Sequence, residues 1–371
     1  MAKPQFQIDN TQPENEKILL ICPRSQRQNE NDFQAALLEA EELVLAVQGQ
    51  REKTIVCRLH NQHSAHFLGS GKVEEIAAEI RHLGIQLVIV NAELTPTQER
   101  NLEKAWQCRV LDRIGLILAI FALRAQTQEG KLQVELAQLE HLSARLIRGY
   151  GHLKSQKGGI GLKGPGETQL ETDRRLIAQK INHLRQRITQ VKQHRAVQRK
   201  KRQGMTVFAL VGYTNVGKST LFNQLTKSSV LAKDQLFATL DTTHRRIWLN
   251  EQTTVILTDT VGFIRDLPHR LIDAFSATLE ETTQADFLLH VVDVSSKQWE
   301  IQVTDVETVL KEIGVAEKPQ IMLYNKIDKL PEKIQPEIYR NLQGGIEAIR
   351  LSAKNPQSLA LLREALAEIA S

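Results

Sequence analysis

Residues Gly212 to Ser219 read GYTNVGKS and satisfy the pattern G-x-x-x-x-G-K-[ST]. These residue types at this spacing cradle a nucleoside triphosphate. The glycines let successive backbone N–H groups crowd around phosphate oxygens, Lys218 reaches the β- and γ-phosphates, and the Ser219 hydroxyl ligates Mg²⁺. Tyr213, Thr214, Asn215, Val216, Gly217 and Thr220 make up the rest of the loop.

Three more clusters follow in the order such a site requires. Asp259-Thr260-Val261-Gly262 offers a carboxylate to Mg²⁺, directly or through water, and the Gly262 N–H to the γ-phosphate. In Asn325-Lys326-Ile327-Asp328, the Asp328 carboxylate can accept from N1–H and the 2-amino group of guanine, which adenine lacks. Ser352-Ala353-Lys354 can turn a backbone N–H toward guanine O6. Between the first two clusters lies Phe237-Ala238-Thr239-Leu240-Asp241-Thr242-Thr243. A loop that orders on the γ-phosphate needs a threonine for Mg²⁺; Thr239 is the first choice, with Thr242 and Thr243 as alternatives. Lys218, Thr239 and Gly262 therefore carry the phosphate chemistry. Phe263 follows Gly262 where a glutamine could have oriented the attacking water. Slow intrinsic hydrolysis is expected, accelerated by a partner, an ion or another loop.

The elements around these clusters read as an α/β domain. Residues 206–211, 254–258, 287–293 and 321–324 are short apolar runs, the pattern of strands buried on both faces. Each chemical cluster sits at a strand end, and a helix opens at Ser219. This is the layout of a doubly wound, mostly parallel sheet with a phosphate-binding loop, over residues 205–371.

The first 112 residues alternate strand and helix signals: strands at 18–21, 54–59 and 87–90, helices at 30–48, 72–83 and 96–106. They predict a small parallel α/β domain. Gly69-Ser70-Gly71-Lys72 imitates a phosphate loop, but Val73 replaces the metal-binding hydroxyl, so it reads as a turn before a helix.

Residues 113–204 read as a helical arm. Leu132, Leu136, Leu139, Ser143 and Leu146 form one seam, and Ile177, Ile181, Leu184, Ile188 and Val191 another, which predicts an antiparallel hairpin. Thr168 and Glu171 have capping-box spacing and predict the start of the second helix. Between the helices, residues 149–166 hold seven glycines and three lysines (Lys154, Lys157 and Lys163).

Charge is concentrated in this arm. Between His141 and Gln203 there are sixteen Lys and Arg against three acids, a local +13 in a chain of net +5. Such a segment is either a solvated helix face or the footprint of a nucleic acid, and the size of the excess favours the latter. Lys154, Lys157, Lys163, Arg174 and Arg175 are the RNA-contacting candidates. Aromatics are only 5%, too few for base-stacking platforms to dominate. Cys22, Cys57 and Cys108 are scattered without metal-ligand spacing, which argues against zinc and disulfides and suits a reducing cytoplasm. The N-terminus lacks the apolar core of a leader, and the longest apolar run, Ile114 to Leu123, is too short to span a bilayer.

The stretch GGIGLKGPGETQLETDRR (Gly158 to Arg175), with GYTNVGKST, FATLD, DTVGFI and NKID, closely resembles the HflX family of ribosome-associated GTPases. The resemblance runs from about residue 15 to 370. It implies GTP and GDP as ligands, Mg²⁺ as cofactor, and the large ribosomal subunit with its rRNA as partner. It also implies that the family's splitting of stalled ribosomes under stress extends to a monomeric cytoplasmic protein here. The N-terminal domain and arm would reach toward the peptidyl-transferase region, and GTP would favour the binding-competent state. Asn215 resembles the K⁺-coordinating asparagine of some translation- and tRNA-related GTPases; its other role is to tie the loop together. Thr242 stands where many relatives have proline, which loosens the switch loop. Some relatives carry a further C-terminal domain, whose functions are not expected here. Two alternatives accompany this reading: a ribosome-assembly GTPase, and a signalling switch whose arm binds an acidic protein.

Overall fold

The computed structural model describes residues 16–47, 49–59, 61–149, 165–200, 204–227, 236–237, 239–265 and 281–371. Two compact units emerge, one of residues 1–123 with 134–185, the other of 124–133 with 186–371.

In the first unit, strands β1 (Lys17–Ser25), β2 (Gln50–Leu59), β3 (Leu87–Val90) and β4 (Arg109–Asp112) form an all-parallel sheet in the order β2-β1-β3-β4. Parallel strands need crossovers, supplied by α1 (Glu30–Ala46), α2 (Ser70–Leu83) and α3 (Pro96–Trp106). Leu19, Ile21, Val88 and Val90 pack in one core with Val73, Ile76 and Ile80 of α2 and Leu102 and Trp106 of α3. Their strand neighbours Ile18, Leu20, Leu87 and Ile89 point to the other face and are equally buried, as expected of a sheet covered on both sides. Helix α2 opens at Ser70 with Gly69 as N-cap, two residues before the predicted start, and ends on Gly84 at φ 65°. Thr95 and Gln98 close a capping box on α3. Strand β4 escaped sequence reading because its four residues alternate in burial and begin and end on charges.

Helix α4 (Arg113–Arg124) takes up the apolar run, followed by α5 (Gln128–Gly149) and α6 (Pro165–Lys200). The seam residues Leu132, Leu136, Leu139, Ile177, Ile181, Leu184 and Ile188 are buried. Lys180 meets Glu135 and Arg185 meets Glu140, both at 2.8 Å. The predicted start of the second helix is corrected: α6 begins at Pro165, not after Thr168. Proline has φ preset for a first turn, where its missing N–H costs nothing, so Thr168 falls inside the helix. With 36 residues, α6 is about 54 Å long at ~1.5 Å per residue.

In the second unit, β5 (Val207–Val211), β6 (Thr243–Trp248), β7 (Thr254–Asp259), β8 (Phe287–Asp293), β9 (Gln320–Asn325), β10 (Glu337–Arg340) and β11 (Ile346–Arg350) form one sheet, in the order β10-β11-β9-β8-β5-β7-β6. The five central strands are parallel, and β6 and β10 are antiparallel edges. Helices α7 (Lys218–Thr226), α8 (Trp299–Glu312) and α9 (Pro356–Ala370) connect or cover the strands. Strand β5 lies between β7 and β8, so the chain reverses its winding at β5. Ligands of such sheets bind beyond the carboxyl ends of the strands at that point.

Candidate guanine-nucleotide site

The phosphate loop leaves β5 and runs into α7, whose first residue is Lys218. Gly217 stands before it at φ 100°, and a Cβ there would collide with Asn325 Nδ2. The position therefore needs glycine for both backbone and space. Asn215 also adopts the left-handed region, at φ 60°, which asparagine tolerates better than most side chains.

Lys218 is buried, and its ammonium donates to the carbonyls of Gly212 at 3.0 Å and Tyr213 at 2.6 Å. Burial pushes it down to about 8, against the opposing pull of Asp259. A polyanion in the loop would supply the countercharge that this lysine lacks.

Beside it, Ser219 Oγ and Thr239 Oγ1 lie 2.7 Å apart, and Thr239 Oγ1 donates to Asp259 Oδ2 at 3.0 Å. Three side-chain oxygens thus converge from α7, the 237–243 loop and the end of β7. Asp259 is fully buried, and burial raises its carboxyl above the usual range, offset by Ser219, Lys218 and Thr239. Its Oδ1 is buried without a hydrogen-bond partner. Among the described residues no group of three His, Cys, Asp or Glu could hold a metal. The donor set is hydroxyls plus one carboxylate, the oxygen chemistry that suits Mg²⁺. The threonine alternatives sit elsewhere. Thr243 pairs with Asp259 in the β6–β7 ladder, and the Thr242 hydroxyl is buried without a partner.

The segment after Asp259 is stitched to the phosphate loop. Phe263 N–H donates to Gly212 O at 3.1 Å and Thr214 N–H to Phe263 O at 2.7 Å, a parallel bridge between Tyr213 and Phe263. Phe263 is buried, and the Arg265 N–H donates to the Tyr213 hydroxyl at 2.8 Å. Gly262 fits because a Cβ there would press on Thr214 Cα at 2.9 Å and Lys218 Nζ at 3.0 Å.

The loops carrying Asn325 to Asp328 and Ser352 to Lys354 are braced to the same frame. Asn325, buried at the end of β9, donates to Val216 O at 2.8 Å and accepts from Ala353 N–H at 2.9 Å. Lys326 spans from Asp293 at 2.7 Å to Asn215 O at 2.6 Å. Asp328 is exposed and accepts from Ser352 Oγ at 2.6 Å, while Ser352 Oγ accepts from Lys354 N–H at 3.3 Å.

These residues surround one cleft. Thr214, Asn215, Gly217, Lys218, Ser219, Thr220, Phe237, Thr239, Thr260, Gly262, Asn325, Lys326, Asp328, Ser352, Ala353 and Lys354 line it. Gly212, Tyr213, Val216, Leu240, Asp259, Val261 and Ile327 lie behind that lining as backbone or buried support. Asp241 turns its carboxylate away toward Gln126 and Thr127. Ala238, Lys154, Lys157 and Lys163 fall outside the described residues; Arg174 and Arg175 are exposed on α6. Sequence reading missed Lys329, which lines the cleft, and Asp293, which anchors Lys326. The signal for Asp293 was its place as the terminal carboxylate of β8.

Three family models match the chain: GTP-binding GTPase N-terminal over residues 34–122, GTP-binding GTPase Middle Region over 124–202, and 50S ribosome-binding GTPase over 207–326. The chain is 48% identical over 334 residues to GTPase HflX of Escherichia coli (strain K12), covering 90% of this chain and 78% of that protein. It is 44% identical over 358 residues to GTPase HflX of Caldanaerobacter subterraneus subsp. tengcongensis, covering 95% and 80%. Among solved structures it is similar to a GTP-binding protein from Sulfolobus solfataricus in complex with GDP. That match has a TM-score of 0.50 at 23% identity, covers 96% and 98% of the two chains, and shows the shared fold. These identities span most of both sequences, and so the chain belongs to the HflX family of GTPases.

Proposed function

We propose that this GTPase couples GTP to binding of the large ribosomal subunit, with its basic arm against rRNA, and separates or rescues stalled ribosomes in the cytoplasm. The convergence of Ser219, Thr239 and Asp259 supports the nucleotide half, because it ties the switch loop to the phosphate site. The family description of a 50S ribosome-binding GTPase and the +13 segment from His141 to Gln203 support the ribosomal half. Among the described residues no helix is long and apolar enough to cross a membrane.

In this reading Lys218 and the loop amides hold the phosphates, and Gly262 N–H meets the γ-phosphate. Ser219 and Thr239 hold Mg²⁺, with Asp259 behind or beside them. Bound Mg²⁺ supplies charge neutralisation at the β- and γ-phosphate oxygens. Asp328 reads guanine, with Ser352, Ala353 and Lys354 closing over the base. The Phe263 side chain offers no polar atom to the attacking water, and its backbone groups are taken up by Gly212 and Thr214, so the ribosome is expected to raise turnover.

Measuring GTP turnover with and without purified large subunits, at two salt concentrations, tests this. We expect strong stimulation that fades between ~50 and ~200 mM salt, because phosphate contacts weaken as counterions compete. Absence of stimulation with intrinsic hydrolysis intact would remove the ribosome and leave an acidic protein as partner. Sedimentation of intact ribosomes separates splitting from an assembly role, since an assembly factor leaves them unsplit.

Asn215 carries a second expectation. If its side chain holds K⁺ beside the phosphates, replacing Na⁺ with K⁺ raises turnover by about tenfold or more, the effect of an added charge at the transition state. Equal rates would leave Asn215 as the residue that accepts the left-handed turn and presents its carbonyl to Lys326.

A further inference from the structure

Asp241 lies two residues after Thr239 in the same loop, yet unlike Phe237 and Thr239 it does not line the cleft. Its Oδ2 accepts from the backbone N–H groups of Gln126 and Thr127, both at 2.8 Å, and its Oδ1 accepts from the Thr127 hydroxyl at 2.5 Å. Thr127 is the residue before α5. Its hydroxyl oxygen in turn accepts from Gly130 N–H at 3.0 Å and so caps the helix. The carboxylate therefore sits on the N-terminus of α5, where a negative charge is favoured.

The fit depends on one small residue. A Cβ on Gly130 would overlap Asp241 Oδ1. Glycine in a helix is otherwise unfavourable, and its presence here leaves room for the carboxylate. At the same time Thr239 is held by Ser219 and Asp259. Two residues of chain span only about 7 Å at full extension, so Thr239 and Asp241 cannot move independently over large distances.

We propose that Asp241 is a latch that carries the nucleotide state of the switch loop to the start of α5. The latch is closed while Thr239 is held at the phosphate site and opens when the loop lets go. Residues 126 to 130 thereby become the point where GTP hydrolysis is read out by the arm helix. Asp241 and Thr127 act here as positioning residues. The inference rests on the switch reading of Thr239, not on the identity of the ribosomal partner.

Hydrogen exchange on the full-length protein, with a non-hydrolysable GTP analogue or with GDP, tests it. In the wild-type chain the amides of Gln126, Thr127 and the first turn of α5 should exchange about tenfold more slowly with the analogue, since local opening is what exchange reports. Gly130→Ala should erase that difference and weaken the analogue relative to GDP by no more than about tenfold, the reciprocal of the lost coupling, because alanine strengthens the helix and touches no residue lining the cleft. Thr127→Val, which keeps the glycine and the two N–H donors, should reduce the difference without abolishing it. The latch is overturned if Gly130→Ala binds nucleotide normally and keeps the full difference. It is also overturned if residues 239–243 respond to nucleotide in the wild type and residues 126–130 do not, or respond in the opposite sense. If residues 239–243 do not respond either, the switch reading falls and the latch with it. Failure of ribosome stimulation leaves all of these readouts in place.

Discussion

Lys218→Ala should reduce kcat/KM for GTP by roughly 30- to several thousand-fold and abolish nucleotide-dependent ribosome binding. The range follows from the ~2–5 kcal/mol lost when one member of a buried charge pair is truncated. The ammonium is buried in the loop, where among the described residues the carbonyls of Gly212 and Tyr213 accept its hydrogen bonds and Asp259 partly offsets its charge. Its interaction with the β- and γ-phosphates would be made in a site that excludes most water, where charge pairs count most. The same burial disfavours the charged form in the nucleotide-free protein. Removing the charge should therefore leave the melting temperature of the nucleotide-free protein close to the wild-type value, which separates lost binding from lost folding. Isothermal titration with GTP, a thermal melt and a ribosome pelleting assay check the three parts. Unchanged GTP-dependent pelleting would end the switch reading.

The second large effect is a change of specificity. Asp328→Asn should lower kcat/KM for GTP by about 10³-fold or more and bring XTP to comparable activity. Sites built to hydrogen-bond a group reject ligands lacking it by ~10⁴–10⁵. The Asp328 carboxylate accepts only, which matches the N1–H and 2-amino donors of guanine. Asparagine presents one donor and one acceptor, which matches the carbonyl and N1–H of xanthine instead. Ser352 Oγ holds the carboxylate at 2.6 Å and could hold the asparagine carbonyl in its place. Because Asp328 is exposed, the substitution should leave the fold intact. Competition between GTP and XTP gives the answer, and retained guanine preference would refute the role assigned to Asp328.

The central frame of this site was legible because its physics is local. Strands β5, β7 and β8 are buried at nearly every residue, β9 alternates half-buried and buried, and all four read as short, mostly apolar runs. The phosphate loop needs residues that tolerate unusual backbone, and glycine and asparagine announce it. What escaped depends on neighbours distant in sequence. Strand β6, Thr-His-Arg-Arg-Ile-Trp, is a polar edge whose main partner is the β7 ladder. Strands β10 and β11 carry charges among their apolar residues because β10 is an edge and both are partly exposed. The bracing role of Asn325 needs the coordinates of Val216 and Ala353, 109 and 28 residues away. Asp241 could not be assigned to Thr127 at all, since the two lie 114 positions apart.

The β6–β7 ladder has a mechanical consequence. Thr243 is registered opposite Asp259, and the ladder continues without a shift to Trp248 opposite Thr254. The end of the 237–243 loop is thus clamped to the very strand that carries Asp259, the carboxylate proposed to face Mg²⁺. Only four residue steps separate Thr239 from this clamp, a tether of at most ~14 Å. In the proposed switch, release of Thr239 would therefore be a short-stroke pivot about Thr243 rather than an unravelling. The loop of that switch would then reset from a fixed hinge after each turnover, and the residues of the ladder would have no ordering entropy left to lose when nucleotide arrives.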